Sequence, residues 1–397
     1  MNKTTADLLK RLLARDRTAL ARSITLIEST NEAHRVQADL LLDQVLLGTP
    51  VSTFSPPPIR LGIAGPPGAG KSTLIEVLGK HLTASGLRVA VLTIDPSSHV
   101  TGGSILGDKS RMTELARDPS AYVRASPSRG VLGGLARYTL DVMTLCEGAG
   151  YDVVVVETVG VGQSEVKIDD AVDVVCLVLP PASGDELQGC KKGITEVADL
   201  VVVNKADGEL LRDANRTASS YRSALEMSRP KFVGWTTPVL KASARAGTGV
   251  AETWESVQKC RSVLEASGEF LGRRKRQAEF WMWEELRAQI MRLVEHDPHL
   301  RALAASEARA LASGPLVGNI NRSIRSSEDV SAGAQPSRGG GGAVAPSATT
   351  PRAAASRLMA AVAERLSGQG GGREGGTGGT SGMGRYSGTS NGGALEK

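Results

Sequence analysis

Short apolar runs rich in β-branched residues alternate with helical stretches along the middle of this chain. The runs cover residues 59–64, 88–94, 152–156, 172–179, 200–203 and 238–241. Every position of 153–156 is valine, which is typical of a parallel strand that is covered on both faces. Strands that alternate with helices indicate right-handed β–α–β crossovers. We therefore predict an α/β fold with a doubly wound, mostly parallel sheet, in which ligands bind at the carboxyl ends of the strands.

Helical patterns flank this region on both sides. Leucines recur at helical spacing over residues 8–13, and a second helical stretch covers 36–47. We expect two helices packed ahead of the main domain. After residue 260, a basic run at 272–277 precedes an amphipathic helix that contains Trp281 and Trp283. Because aromatic residues concentrate at interfaces, this helix is predicted to be an oligomerisation arm, the alternative being a helix that packs on its own domain.

The composition of the C-terminal end differs from that of the rest. Residues 331–397 hold 18 of the 46 glycines, one aromatic residue and a net charge of +4, out of +5 for the whole chain. So few large apolar groups cannot offset the entropy of ordering a chain, which predicts disorder. The predicted organisation is an N-terminal helical segment at 1–55, an α/β domain at 56–262, a helical arm at 263–312 and a low-complexity, disordered tail at 313–397.

The overall composition excludes several classes of protein. With 41% hydrophobic and 22% charged residues, the 397-residue chain has the proportions of a soluble globular protein. It holds no apolar run near the roughly 20 residues that a membrane-spanning helix needs. Its four cysteines form no C-x-x-C pair, which argues against a zinc site or a disulfide framework. Aromatic residues, at 3%, are too few for a surface that stacks nucleic-acid bases.

A glycine-rich motif follows the first predicted strand. Residues 65–72 read GPPGAGKS and fit the phosphate-loop pattern G-x-x-x-x-G-K-[ST]. Its glycines let main-chain N–H groups converge on phosphate oxygens at a helix N-terminus, where the helix dipole favours anions. Lys71 is predicted to reach the β- and γ-phosphates as a catalytic residue, and the Ser72 hydroxyl to bind Mg²⁺. The predicted phosphate-binding residues are Gly65, Pro66, Pro67, Gly68, Ala69, Gly70, Lys71, Ser72 and Thr73.

A second motif indicates which nucleotide is bound. Asn204, Lys205 and Asp207 follow the predicted strand 200–203 in the sequence NKAD, which resembles the N-K-x-D motif of GTPases. Asp207 is predicted to accept hydrogen bonds from N1–H and the exocyclic amine of guanine, donors that adenine does not offer in that arrangement. Asn204 and Lys205 are expected to brace the loops around the base. Ser243 and Ala244 lie where GTPases place main-chain donors to guanine O6.

Acidic residues at the ends of predicted strands complete the predicted site. Asp95 ends the second predicted strand and Glu157 ends the third, while Asp108 lies in the sequence GDKSRM. Because Mg²⁺ prefers oxygen ligands and keeps much of its hydration shell, these three carboxylates and Ser72 are the predicted metal-binding residues. Asp108 is alternatively a catalytic residue that orients the attacking water. Gly160 is predicted to donate its N–H to the γ-phosphate.

Several motifs together resemble one known family. Residues from about 10 to 295 resemble the MeaB/ArgK/MMAA family, P-loop GTPases that act as chaperones of adenosylcobalamin-dependent methylmalonyl-CoA mutase. The resemblance implies a P-loop GTPase domain with N-terminal helices and a homodimer formed through a C-terminal helical arm. The motifs that carry it are IEST at 27–30, DPSS at 95–98, GGSILGDK at 102–109, ETVGVGQSE at 157–165, GDELQG at 184–189 and NKAD at 204–207.

The same resemblance identifies a candidate relay loop at residues 183–193. Its glycines give conformational freedom, and its charged side chains offer ionic contacts. In the family, such a loop relays the nucleotide state to the mutase. The predicted switch and partner residues are Asp185, Glu186, Gln188 and Lys191. The Gly/Ala/Ser-rich sequence beyond residue 312 departs from the family pattern, in which this region usually completes the arm that forms the dimer.

These observations predict a Mg²⁺-dependent GTPase that gates adenosylcobalamin loading and protection of a mutase. One alternative is a GTPase metallochaperone for another metalloenzyme, which should carry clustered Cys and His ligands. Another is an ATPase or kinase linked to basic amino-acid transport, against which the NKAD motif argues. We expect no nucleic-acid or membrane partner. The predicted location is the cytoplasm for a bacterial protein or the mitochondrial matrix for a eukaryotic one.

Overall fold

The computed structural model describes residues 1–29, 31–48, 57–95, 112–127, 138–158, 168–181, 196–227, 230–312 and 351–369. The chain divides into two compact units, Met1–Met282 and Trp283–Lys397. The first unit contains the parallel sheet and the N-terminal helices that pack on it. In the described parts of the chain, no helix is both long enough and apolar enough to cross a membrane.

A parallel sheet of seven strands, as far as the chain is described, forms the centre of the first unit. The strands are β1 (Ile59–Ala64), β2 (Val89–Asp95), β3 (Ala121–Pro127), β4 (Val153–Glu157), β5 (Val174–Leu179), β6 (Leu200–Val203) and β7 (Val239–Lys241). Their spatial order is β3-β2-β4-β1-β5-β6-β7. Since β1 lies centrally and the order reverses on either side of it, the predicted doubly wound α/β fold is confirmed.

Each of the six predicted strands is present, but the sequence analysis missed β3. This strand contains the polar residues Arg124 and Ser126, and among the described strands it pairs only with β2, at the edge of the sheet. An edge strand has only one neighbouring strand, so fewer of its residues need to be apolar. The sequence of β3 therefore lacks the continuous apolar run from which the other strands were predicted. The strand that ends at Glu157 is therefore the fourth along the chain, and it lies directly between β1 and β2.

Eleven helices are described along with the sheet. They are α1 (Lys3–Leu13), α2 (Arg17–Ile27), α3 (Glu32–Gly48), α4 (Lys71–Ala84), α5 (Thr113–Arg117), α6 (Thr139–Gly148), α7 (Leu211–Glu226), α8 (Val250–Ala266), α9 (Glu269–His296), α10 (Pro298–Ala312) and α11 (Pro351–Gln369). The N-terminal segment thus forms three helices where two were predicted. Asp16 separates the first two, because its carboxylate accepts hydrogen bonds from the N–H groups of Thr18 and Ala19 and caps α2.

The two faces of the sheet are covered by different helices. Val154 and Val156 of β4 face the cluster that contains the apolar side chains of α1, α2, α3 and α6. Val153 and Val155 face the cluster formed with α4 and α8. All four valines are buried, which confirms the inference that this strand is covered on both sides. The N-terminal helices are therefore one layer of the main core.

The second unit contains a small helical cluster. Val294 of α9, Leu300 of α10 and Val362 of α11 are buried together. Arg357 of α11 forms a bidentate pair with Glu307 of α10. Helix α11 lies within the tail that was predicted to be disordered, so that expectation does not hold for its residues.

Helix α11 forms because the composition of its own residues differs from that of the tail as a whole. The glycine content of the tail as a whole predicts disorder, whereas residues 351–367 contain no glycine and are rich in alanine, with Leu358 and Val362 four positions apart on one helix face. The remaining residues of the tail, 313–350 and 370–397, lie outside the described part of the chain.

Buried ion pairs fasten the start of α9 to the amino edge of the sheet. Arg274 donates two hydrogen bonds to the carboxylate of Asp173, at 2.7 Å each, and also contacts Glu147. Arg60 donates to both oxygens of Glu147, at 2.8 and 2.7 Å. Burial by itself raises the pKa of Asp173, but Arg274 and Arg60 outweigh it and hold that pKa below its ordinary value. Asp173 is therefore ionised at neutral pH.

Replacement of Arg274 tests this network. Arg274→Met should lower the free energy of unfolding by about 3 kcal/mol, because it leaves the buried carboxylate of Asp173 without its main partner. Arg276→Met is the matched control on the same helix, where an exposed pair with Glu269 should contribute less than about 1 kcal/mol. Urea unfolding followed by circular dichroism measures both, and equal stability of the two variants would contradict the prediction.

Candidate nucleotide-binding site

The glycine-rich loop joins the carboxyl end of β1 to the start of α4, as predicted. Gly65 and Gly70 have positive φ angles of 142° and 83°, and Gly70 is the residue that precedes α4. A Cβ atom on Gly65 would lie 2.0 Å from the main-chain oxygen of Val178, and one on Gly70 would lie 2.6 Å from Asn204 Nδ2. Only glycine permits both the conformation and these close approaches. The loop is thereby held against β5 and the end of β6.

In the described part of the chain, no residue covers the outer side of the loop at Gly68. A Cβ atom on Gly68, whose φ is 80°, would meet no described atom within 4 Å. Pro67 and Gly68 are exposed, whereas Ala69 is buried beneath them. The Lys71 side chain is buried, and its Nζ donates to the main-chain oxygens of Gly65 at 2.7 Å and Pro66 at 3.1 Å. The ammonium group therefore lies within the loop, beside the first turn of α4.

Ser72 and Glu157 form a buried polar pair next to the loop. The Ser72 hydroxyl donates to Glu157 Oε1 at 2.8 Å, and both residues are buried. The pair forms because β4 lies beside β1, with Glu157 opposite Ile63 in the register. A hydroxyl and a carboxylate at one point are suitable oxygen ligands for Mg²⁺. These two predicted metal-binding residues are thus brought together. Thr73, which follows Ser72 in α4, is exposed.

Asn204 connects three loops at the carboxyl edge of the sheet. Its Nδ2 donates to the main-chain oxygens of Ala69 at 3.0 Å and Gly70 at 3.2 Å, and its Oδ1 accepts from the Ala244 N–H at 3.1 Å. The side chain is only 1% exposed. We expected Asn204 to brace loops around a base, and the structure shows that it braces the phosphate loop itself. The sequence motif contains no signal for that contact.

The other two polar residues of the NKAD motif, Lys205 and Asp207, are more exposed than Asn204. Lys205 adopts a left-handed conformation with φ of 58°, and its Cε lies 3.7 Å from the place a Cβ on Gly70 would occupy. Asp207 is half-buried, and its Oδ1 accepts a hydrogen bond of 2.6 Å from the Ser243 hydroxyl. That hydroxyl also accepts from the N–H of Ala246 at 3.0 Å. Ser243 therefore orients the Asp207 carboxylate through its side chain, a role that the sequence analysis did not identify.

The main-chain amides of Ser243 and Ala244 have partners within the protein. The Ser243 N–H donates to the oxygen of Thr248 at 2.9 Å, and the Ala244 N–H donates to Asn204. A contact of Ala244 with guanine O6, as expected from the sequence, would have to share this donor.

Several predicted residues lie outside the described part of the chain. The main chain of Asp95 ends β2, two residues beyond Thr93, which is opposite Glu157, but its side chain is outside the description. The others that fall outside are Asp108, Gly160, Asp185, Glu186, Gln188 and Lys191. The described site therefore consists of the phosphate loop, the Ser72–Glu157 pair and the loops joined by Asn204.

Comparison with known proteins agrees with this geometry. The family model "Methylmalonyl Co-A mutase-associated GTPase MeaB" matches residues 20–299. The mitochondrial methylmalonic aciduria type A homolog of Mus musculus is 45% identical over 315 residues, 77% of this chain and 74% of that protein. A probable GTPase of Mycobacterium tuberculosis is 48% identical over 301 residues, 76% of this chain and 88% of that protein.

A solved structure extends the comparison to the fold. The crystal structure of the LAO/AO transport system kinase has a TM-score of 0.63 and 33% sequence identity, and the match covers 82% of this chain and 99% of that one. The GTPase ArgK of Escherichia coli is 42% identical over 288 residues, 72% of this chain and 85% of that protein. With its phosphate loop, its NKAD motif and these matches, the chain belongs to the MeaB family of P-loop GTPases.

Proposed function

We propose that this protein hydrolyses GTP to GDP and phosphate with Mg²⁺, and that it serves an adenosylcobalamin-dependent methylmalonyl-CoA mutase. The observation that carries the nucleotide part is the set of hydrogen bonds made by Asn204. They join the phosphate loop to the two loops that hold Asp207 and Ala244. Groups suited to a triphosphate and groups suited to guanine are therefore held in one rigid arrangement.

The phosphate end of the site supplies positive potential and main-chain donors. The amino end of α4 directly follows the loop, and its first N–H groups and the helix dipole favour an anion such as a triphosphate at this point. Lys71 lies within the loop, and a shift of its Nζ from the Gly65 and Pro66 oxygens to β- and γ-phosphate oxygens would place its charge on the group that is transferred.

Ser72 and Glu157 are suited to hold Mg²⁺, since their oxygens already lie at hydrogen-bond distance from each other. The ion, when bound, neutralises charge that develops on the phosphate oxygens. Asp95 and Asp108 remain proposed as further metal ligands, with Asp108 alternatively orienting the attacking water, and Gly160 as a donor to the γ-phosphate.

The base end of the site favours guanine over adenine. Asp207 presents a half-buried carboxylate that Ser243 orients, and it can accept from two adjacent N–H donors of guanine. Adenine would leave that carboxylate facing an acceptor and a C–H, which is costly in a partly buried site. This argues against the ATPase or kinase alternative, although one structural relative carries the name kinase.

The mutase partner is proposed from the family name, since the family model that matches describes mutase-associated GTPases. Asp185, Glu186, Gln188 and Lys191 are the proposed contacts, in the relay loop at 183–193. We also propose a homodimer formed through the C-terminal helices. Relatives include a mitochondrial protein and bacterial GTPases, so a bacterial cytoplasm or a mitochondrial matrix is the proposed location.

Lys71→Ala tests the phosphate site. The variant should fold normally and lose at least about 100-fold in kcat, because a positioned charge next to the transferred group is removed. Lys80→Ala, on the exposed side of the same helix, is the matched control and should keep wild-type turnover. Phosphate release measures both, and normal turnover by a folded Lys71→Ala protein would contradict the assignment.

Asp207→Asn tests the base. Asparagine offers a donor where aspartate offers only acceptors, so the variant should bind GTP more weakly and prefer xanthosine triphosphate, which carries an acceptor in place of the guanine amine. Competition binding with GTP, ATP and xanthosine triphosphate gives the preference, with the exposed Asp7→Asn as control. Unchanged preference for GTP would remove the guanine assignment, and tighter binding of ATP by the wild type would favour the kinase alternative.

Substitutions in the relay loop test the partner. Lys191→Ala and Asp185→Ala should reduce the stimulation of GTP hydrolysis by the mutase several-fold, while GTP affinity stays unchanged, because they alter proposed partner contacts and leave the phosphate loop intact. GTP turnover with and without purified mutase measures this. Full stimulation of both variants would show that the partner binds elsewhere, and no stimulation of the wild type would argue against the partner itself.

A further inference from the structure

A threonine lies at the carboxyl end of a strand face that is otherwise apolar. In β2, Val89 and Val91 belong to the cluster formed with α4 and α8, whereas Ala90 and Leu92 belong to the cluster on the other side of the sheet. Because successive side chains of a strand point to opposite faces, Thr93 shares the face of Val91, which α4 covers. A hydroxyl group therefore follows two valines along the buried side of β2.

Glu157 of β4 lies directly beside Thr93. The two residues are opposite one another in the parallel register of β2 and β4. Neighbouring strands are about 4.8 Å apart, and residues paired in this way point to the same side of the sheet. On that side the Glu157 carboxylate accepts the hydrogen bond of 2.8 Å from Ser72 of α4. Thr93 consequently faces the side of the sheet on which the Ser72–Glu157 pair lies.

The hydroxyl of Thr93 is buried without a hydrogen bond to the protein. The residue is only 1% exposed, and its Oγ1 has no partner among the described residues. A buried hydroxyl that has lost its hydrogen bonds to water lowers the stability of the fold. Valine has nearly the same shape, is equally suited to a strand and would avoid this cost. Native proteins commonly satisfy such a group with an ordered water or an ion.

The position of this hydroxyl distinguishes it from others that are buried. Ser23 also has a fully buried hydroxyl without a described partner, but it belongs to α2, whose buried apolar side chains join the cluster on the other face. Thr93 instead adjoins the two residues that are suited to hold Mg²⁺. Since Mg²⁺ keeps several waters when it binds to a protein, a water on the ion at this point needs acceptors close by. The Thr93 hydroxyl can be such an acceptor.

We propose that Thr93 is a positioning residue of the Mg²⁺ site, and that its hydroxyl accepts a hydrogen bond from a water of the ion's hydration shell. The inference rests on the proposed function and adds to it a residue that lies outside the sequence motifs. Outer contacts of this kind orient the groups around a metal ion and raise its affinity. Because the contact is made to a water of the ion, its loss should weaken Mg²⁺ binding and leave metal-free nucleotide binding unchanged.

The test compares Thr93→Val, which removes the hydroxyl at nearly constant shape, with Thr93→Ser, which keeps it. Calorimetric titration of Mg²⁺ into protein loaded with a non-hydrolysable GTP analogue gives the Kd for the ion. We expect this Kd to rise about ten-fold in Thr93→Val and to stay within about two-fold of the wild type in Thr93→Ser. Ser23→Ala is the matched control, since it removes a buried hydroxyl on the other face, and should leave the Kd unchanged. Thr93→Ala replaces Thr93→Val, with the same expectation, if the latter does not fold.

A melting experiment examines the same hydroxyl without the ion. In EDTA and without nucleotide, Thr93→Val should raise Tm by about 2 °C, because it removes a buried hydroxyl that the protein does not satisfy. A Tm lowered by several degrees would show that the hydroxyl is bonded within the protein, and would overturn the inference.

The titrations separate this inference from the proposed function. A wild type that binds the GTP analogue without any dependence on Mg²⁺ would reject the metal part of the proposed function, and the inference with it. With a Mg²⁺-dependent wild type, the inference alone is overturned if Thr93→Val keeps the wild-type Kd for Mg²⁺. It is also overturned if Thr93→Ser loses as much Mg²⁺ affinity as Thr93→Val, or if Thr93→Val binds the analogue equally more weakly in EDTA.

Discussion

The side chain of Asn204 is the interaction on which the arrangement of the nucleotide site depends. Its amide nitrogen holds the phosphate loop through Ala69 and Gly70, and its amide oxygen holds the loop of Ala244. Since the side chain is buried, loss of one bond would leave a polar group without a partner, so the three contacts support one another. Through them the end of β6 sets the position of a loop that follows β1.

The two edges of the sheet have different properties as a result. At the carboxyl edge, glycines and exposed polar groups leave room for a ligand, and the Ser72–Glu157 pair provides oxygen atoms beside it. At the amino edge, buried ion pairs of Arg273 and Arg274 join the start of α9 to the sheet. The carboxyl edge is where we propose that the charged ligand binds, whereas the charges at the amino edge are paired with one another within the protein.

The sequence predictions succeeded where the signal is periodic and failed where it is not. Strands buried on both faces, such as β4, are continuous apolar runs and were recognised. The edge strand β3 contains Arg124 and Ser126, both of which contact Glu28 of the N-terminal helical layer, so its polar residues are explained only by the packed structure. Helix α11 was missed because the composition of the whole tail was taken to represent every part of it, including the alanine-rich residues of this helix.

The candidate site shows the same division. The phosphate loop was predictable from the sequence alone, because its glycines, Lys71 and Ser72 are consecutive and act between one strand and the next helix. The contact of Asn204 with that loop joins residues 135 positions apart, and Gln277 Nε2 donates to the main-chain oxygen of Asp169 across 108 positions. Spacing along the chain carries no information about such pairs. Their geometry follows from the order of the strands, which only the packing of the whole sheet determines.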